Sequence, residues 1–206
     1  LRSITMQLKS NLRAIILVSC FAALTAIGSY IKLPLIYLPV TLQTLFVMMS
    51  GNILGGKFGS LSQILYLTLG LMGLPIFAYG GGLGYVLQPT FGYLLSYPFA
   101  ALGIGMIMKM FSVNWRIKPP SMTQQFVGYL LADITGVIII FSMGIAYFYI
   151  NLKMGWYLNI DQLSQVKINF HRLLKTILFL FIPIDVLKAI IASWLTVRLR
   201  HLRFWQ

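Results

Sequence analysis

Pro75–Tyr93 reads PIFAYGGGLGYVLQPTFGY. The segment carries no charge and lies between two long apolar runs. Gly80, Gly81, Gly82 and Gly84 crowd together, followed by Gln88-Pro89-Thr90 and then Gly92-Tyr93. Glycine admits positive φ and close approach of another surface, and proline removes a donor and resists a helix interior. The stretch therefore cannot be a buried helix, yet it is too apolar for an ordinary exposed loop. Irregular backbone persists at membrane depth only where protein covers it or where it lines a cavity. It is read here as a loop forming one wall of a small-molecule pocket, with a tight turn between two helices as the plainer alternative. The G-x-G-x-x-G spacing of a dinucleotide loop is absent.

The surrounding composition supports a bilayer setting. Of 206 residues, 59% are hydrophobic and 9% charged, and the mean hydropathy is +0.86. Soluble domains carry about 25% charged residues, so an all-α membrane protein is expected. The acids are Asp133, Asp161 and Asp185, with no glutamate, and the formal net charge is +13. In a soluble protein that excess would suggest nucleic acid. Here the basic residues flank apolar runs and set orientation, so no nucleic-acid partner is expected.

Other function classes lose support for want of residues. The single cysteine, Cys20, excludes a disulfide within the chain. His171 and His201 lie outside the apolar runs and far apart, so no metal site is expected. There is no Walker loop and no nucleophile–base constellation, so neither an enzyme nor a resident cofactor is expected. The first apolar run is too long for a cleavable signal and lacks a cleavage-like end.

Six apolar spans are predicted, at about 12–31, 40–54, 58–77, 90–111, 123–150 and 173–195, in one integral membrane domain covering 1–206. Gly55-Gly56-Lys57 makes the turn between the second and third. Pro98 is expected to kink the fourth span and Pro183 to interrupt the sixth. Arg2, Lys9, Arg13, Lys57, Lys109, Arg116, Lys118, Arg198, Arg200 and Arg203 fall on the side of the termini. They outnumber Lys32, Lys153, Lys167, Arg172 and Lys175 on the other side, so both termini are predicted to be cytoplasmic. The connections at about 32–39, 78–89 and 151–172 then face outward together. The last carries Trp156 and Tyr157 as interface-type aromatics, and a short interfacial helix is expected from Asp161 and Leu163.

Asp185 and Lys188 are the strongest chemical signal. Their spacing of three puts both on one helix face, within an apolar span where charges mark sites or interior pairs. Ligand recognition is the functional reading, and a mutually neutralising structural pair is the alternative. Asp133, in the fifth span, is expected to cap a helix or to pair with a cytoplasmic base. Thr41, Gln43, Tyr85, Gln88, Tyr93 and Tyr147 lie near the outward loops and, with Gly82 in the flap, are candidates for the placed polar groups of a mostly apolar pocket. Ala22 and Ala26 share a helix face, as do Ser19 and Ala23. Such spacing lets another helix approach closely, either within the chain or from another subunit.

Five segments together resemble one family: AALTAIG at Ala22–Gly28, PVTLQTLFV at Pro39–Val47, GLMGLPIF at Gly70–Phe77, GGGLGYVLQPTFGY at Gly80–Tyr93 and FIPIDVLKA at Phe181–Ala189. The sequence looks like the BioY family, the biotin-binding membrane subunits (S components) of energy-coupling factor transporters. The resemblance implies an S-component-like six-helix bundle in a bacterial cytoplasmic membrane. It also implies high-affinity capture of biotin, as ligand rather than cofactor, on the outer side. The implied partners are a transmembrane coupling subunit, two ATPases and the lipid bilayer, with Ala22 and Ala26 at the docking contact. By the same resemblance Asp185 accepts the ureido N–H groups, and Lys188 orients Asp185 or joins the network. The family usually has glycine where this chain has Ile184, Gln88 and Phe91, changes expected to crowd the pocket wall. A ligand-free membrane scaffold, or an S component for another small vitamin-like molecule, is the alternative.

Overall fold

The computed structural model describes residues 2–33, 40–117, 120–154 and 170–199. Its elements are α1 (Arg2–Tyr30), β1 (Lys32–Leu33), β2 (Val40–Thr41), α2 (Gln43–Leu71), a 3-10 helix (Leu83–Leu87), α3 (Phe91–Ile117), α4 (Met122–Met154) and α5 (Phe170–Arg198). Segments 34–39, 118–119, 155–169 and 200–206 lie outside this description, and with them Trp156, Tyr157, Asp161 and Leu163. Among the described residues the regular structure is helical apart from one hairpin of two residue pairs, in which Lys32 opposes Thr41 and Leu33 opposes Val40. That hairpin moves the start of the second helix to Gln43 from the expected Val40.

α2 is one element only by hydrogen-bond pattern. Gly55 sits inside it at φ 77, ψ 173, a conformation open to glycine and strained for other residues. The chain reverses there, and the two halves lie antiparallel. Gln43 donates to the Tyr66 hydroxyl near one end, and Gln63 donates to Ser50 Oγ at 3.2 Å nearer the break. The turn expected at 55–57 is thus a single break at Gly55.

The second half stops at Leu71, short of the expected Phe77. Leu74 N–H bonds to Leu69 O at 3.2 Å and Gly73 N–H to Gly70 O at 3.2 Å, with Gly73 at φ 107. This is the paired 6→1 and 5→2 pattern of a Schellman cap with glycine at C′. At the start of α4, Gln124 N–H donates to Ser121 Oγ while Ser121 N–H donates to Gln124 Oε1 at 2.9 Å. That reciprocal pair is a capping box. α3 continues through Pro98 and α5 through Pro183, so neither proline ends its helix.

α2 packs against α1, α3 and α5, and α4 against α3 and α5. The polarity is inverted relative to a water-soluble bundle. Ile15, Ile16, Leu131, Ile138, Leu187 and Trp194 are exposed, whereas Gln43, Asn52, Gln63, Asp133, Asp185 and Lys188 are buried. Four helices among the described residues are long and apolar enough to cross a bilayer: Leu12–Tyr30, Phe91–Ser112, Met122–Asn151 and Leu178–Arg198. An apolar exterior on several such helices makes this a multi-pass membrane protein.

Two apolar clusters fill the interior. One centres on Met48, Ile53, Ile104, Met108, Tyr129 and Ala189. The other runs from Val47 and Tyr66 through Phe77 and Tyr85 to Leu94 and Tyr97, beneath the glycine-rich loop. The cavity described next draws its walls from both.

Candidate functional site

The loop after α2 is irregular but tightly held. Backbone bonds close it between Phe77 and Gly80 and through the turn at Gly82–Gln88, and side chains from flanking elements take further carbonyls. The Tyr30 hydroxyl donates to Pro75 O, and Lys32 Nζ donates to Ala78 O at 2.6 Å. From the far end of α4, the Tyr147 hydroxyl donates to Val86 O, and Asn151 Nδ2 donates to Leu87 O at 2.9 Å. Gly82 N–H closes onto Gly70 O at 2.7 Å, where the 3-10 helix begins. That turn carries Tyr85 inward, where its ring packs on Phe77 at a centroid distance of 4.7 Å.

Below the loop lies a cavity with about 580 Å³ of empty space, counting its open mouth. Val40, Thr41 and Ala78 line it from the hairpin and loop, and Tyr85 and Thr90 from the segment before α3. Gln43 and Thr44 come from the first turn of α2, and Tyr93, Leu94 and Tyr97 from α3. Ile140 and Phe141 of α4 and Phe181, Asp185 and Lys188 of α5 complete the wall. Its wall is mostly apolar with a few placed polar groups, the composition of small-ligand sites.

The polar groups form two linked sets. In the first, Lys188 Nζ lies 2.7 Å from Asp185 Oδ1, and Thr44 Oγ1 donates to the same oxygen at 2.8 Å. Lys188 Nζ also donates to Thr44 Oγ1 at 3.1 Å. Asp185 and Lys188 are each 6% exposed. Oδ2 of Asp185 accepts no hydrogen bond among the described residues, and two of the three Lys188 donors are used. The triangle therefore retains one acceptor atom and one donor for a ligand. In the second set, Gln43 Oε1 accepts from Thr41 Oγ1 at 2.8 Å and from the Tyr97 hydroxyl at 3.4 Å, while Gln43 Nε2 donates to Tyr66. The Tyr93 hydroxyl is buried and has no partner among the described residues. A buried polar atom left so calls for an explanation, and its residue lines the cavity.

Of the residues singled out from sequence, Thr41, Gln43, Tyr85, Tyr93, Asp185 and Lys188 come together on this cavity. Gln88, Tyr147 and Gly82 do not line it. Gln88 links the 3-10 helix to α3 through its backbone, and Tyr147 and Gly82 brace the loop. Ile184 and Phe91 are also off the wall, so the expected crowding by Ile184, Gln88 and Phe91 does not occur. Thr44 and Tyr97 are additions. Thr44 looked like one more hydroxyl in an apolar run, and its bond to Asp185 spans 141 residues of sequence.

Two further expectations change. Asp133 neither caps a helix nor pairs with a base among the described residues. It is fully buried mid-helix and accepts from Asn52 Nδ2 and Ser193 Oγ, each at 2.8 Å. Ala22 is 4% exposed and belongs to the cluster around Val47 and Tyr66, with Ala26 packed against it. Their small side chains admit α2 of the same chain, the packing alternative that their spacing allowed. Ser19 and Ala23 are exposed instead.

The chain is similar to described proteins over most of its length. The probable biotin transporter BioY of Lysinibacillus sphaericus is 42% identical over 149 residues, covering 69% of this chain and 71% of the relative. The biotin transporter BioY of Thermotoga maritima is 31% identical over 195 residues, covering 93% and 98%. A crystal structure of the S-component for biotin from an ECF-type ABC transporter superposes with a TM-score of 0.70 at 26% identity, covering 94% of this chain and 93% of that one. The model of the BioY family matches residues 5–204, and the chain belongs to that family.

Proposed function

We propose that this chain is the biotin-capturing S component of an energy-coupling factor transporter. It is not an enzyme; it takes biotin from outside a bacterial cytoplasmic membrane and releases it inward with an ATP-driven module. The observation that carries this reading is the Thr44–Asp185–Lys188 triangle, buried at an apolar cavity beneath a braced loop. Biotin's fused rings offer a ureido group with two N–H donors and one carbonyl acceptor. Asp185 Oδ2 is the acceptor for a ureido N–H, and the third donor of Lys188 is available to the ureido carbonyl. The Tyr93 hydroxyl is a further partner for the same group, and Leu94, Tyr97, Phe141 and Phe181 cover the apolar ring faces.

The module comprises a transmembrane coupling subunit and two ATPases. In this reading the chain is one integral membrane domain. The two halves of α2 cross as an antiparallel pair beside the four longer helices, giving six crossings with both termini cytoplasmic. Equilibrium titration of the purified protein with biotin tests the proposal. Sub-micromolar binding is expected, whereas micromolar or weaker binding would favour a scaffold in which Asp185 and Lys188 serve only each other.

A further inference from the structure

The two ends of the cavity differ chemically. At the inner end, Lys188 is neutralised by Asp185. At the rim stands Lys32, a cation with no anionic partner among the described residues. The hairpin register sets Lys32 directly opposite Thr41, and opposed residues of an antiparallel pair project to the same face. Thr41 lines the cavity, so Lys32 shares its face. The Lys32 ammonium reaches the carbonyl of Ala78, also a lining residue, at 2.6 Å and sits 4.8 Å from the centroid of the Tyr79 ring. That carbonyl takes one of its three donors. Of the chain's three acids, Asp185 pairs with Lys188, Asp133 is held by Asn52 and Ser193, and Asp161 lies outside the described residues. No carboxylate among the described residues pairs with Lys32.

We infer that Lys32 receives the carboxylate of the ligand's tail. The inference rests on the biotin reading above and adds the orientation: ureido ring on the Asp185–Lys188 triangle, valerate chain running outward between Thr41 and Ala78, carboxylate on the remaining donors of Lys32. The interaction bridges hairpin and loop at the mouth and selects an anionic tail over a neutral one. Because Lys32 is exposed, its contribution is that of a rim ion pair, about fivefold in affinity.

The test measures dissociation constants of the full-length protein for biotin and for biotinamide, whose tail is neutral, in the parent, Lys32→Met and Lys32→Arg. The parent is expected to favour biotin by about fivefold. Lys32→Met is expected to erase that preference, any loss for biotinamide being the smaller of the two, and Lys32→Arg to keep it. A preference that survives in Lys32→Met overturns the assignment. So does an equal loss for both ligands, which would make Lys32 a tether for Ala78 and nothing more. Failure of the parent to bind either compound overturns the inference through its premise, because the biotin reading itself then falls.

Discussion

Replacing Asp185 by asparagine tests the site most directly, because it keeps the shape and removes the charge. Three interactions change at once. Lys188 loses its anion at 2.7 Å, the Thr44 hydroxyl loses a charged acceptor at 2.8 Å, and a ligand N–H loses the carboxylate oxygen that has no protein partner. Losing a hydrogen bond to a charged acceptor costs about 1.5–3 kcal/mol of binding, which is about 10- to 160-fold in Kd. Leaving Lys188 buried without its partner also costs folding stability, about 3–5 kcal/mol when no water reaches the ion. The cavity beside Lys188 admits water, so the lower end of that range applies.

Binding loss and instability are separable by a second variant. Asp185→Asn combined with Lys188→Met removes both charges, and replacing a buried pair with apolar groups is often neutral for stability. The single variant is therefore expected to lose both biotin affinity and thermal stability, and the double variant to regain stability alone. Calorimetric titration in detergent gives the first quantity and intrinsic-fluorescence melting the second. If Asp185→Asn keeps its Kd within about threefold of the parent's (~0.65 kcal/mol) while melting earlier, the pair is structural and the site is misassigned.

Three other outcomes follow from the same geometry. Tyr93→Phe removes a buried hydroxyl with no protein partner among the described residues, so biotin affinity should fall by about fivefold, one net hydrogen bond, with no loss of melting temperature. Gly105→Ala would set a Cβ 1.8 Å from Gly56 N and 2.4 Å from Gly56 Cα. Backbone cannot yield as a side chain can, so a loss of at least ~1–3 kcal/mol should appear as an early melt or poor membrane yield. Asp133→Ala removes the acceptor of two buried donors, at about 1–3 kcal/mol each. Asp133→Asn should retain part of that stability, and melting curves of the two variants decide it.

Much of the site was legible because the bilayer makes charge rare. With three acids in the chain, an Asp–Lys pair three apart in an apolar span stands out from composition alone. The loop was legible for the complementary reason: glycine and proline cannot continue a helix, and an apolar loop needs cover. What resisted reading was partnership across the fold. Thr44 and Tyr97 are single polar groups in apolar runs, and nothing local separates a cavity wall from a core contact. Ala22 shows the same ambiguity in reverse, because small residues four apart signal close approach without saying whose helix approaches. The hairpin was missed because two residue pairs are too few to leave an alternating pattern.

The buried polar groups also explain how α5 is kept in place while its site remains open to a ligand. In lipid no hydrophobic drive presses helices together, so packing and interhelical hydrogen bonds hold them. α5 meets the first half of α2 at two levels. At the cavity, Asp185 and Lys188 meet Thr44; deeper in, Ser193 and Asn52 meet on Asp133 of α4. Thr44 and Asn52 are eight residues apart, about 12 Å along a helix, and Asp185 and Ser193 have the same separation. The levels differ in saturation. Both carboxylate oxygens of Asp133 are engaged within the protein, whereas Asp185 keeps one oxygen unbonded among the described residues. A helix anchored only at the cavity would be released whenever a ligand competed for Asp185 or Lys188. The deeper level holds α5 against α2 independently of the ligand, so the upper level can exchange partners without the bundle coming apart.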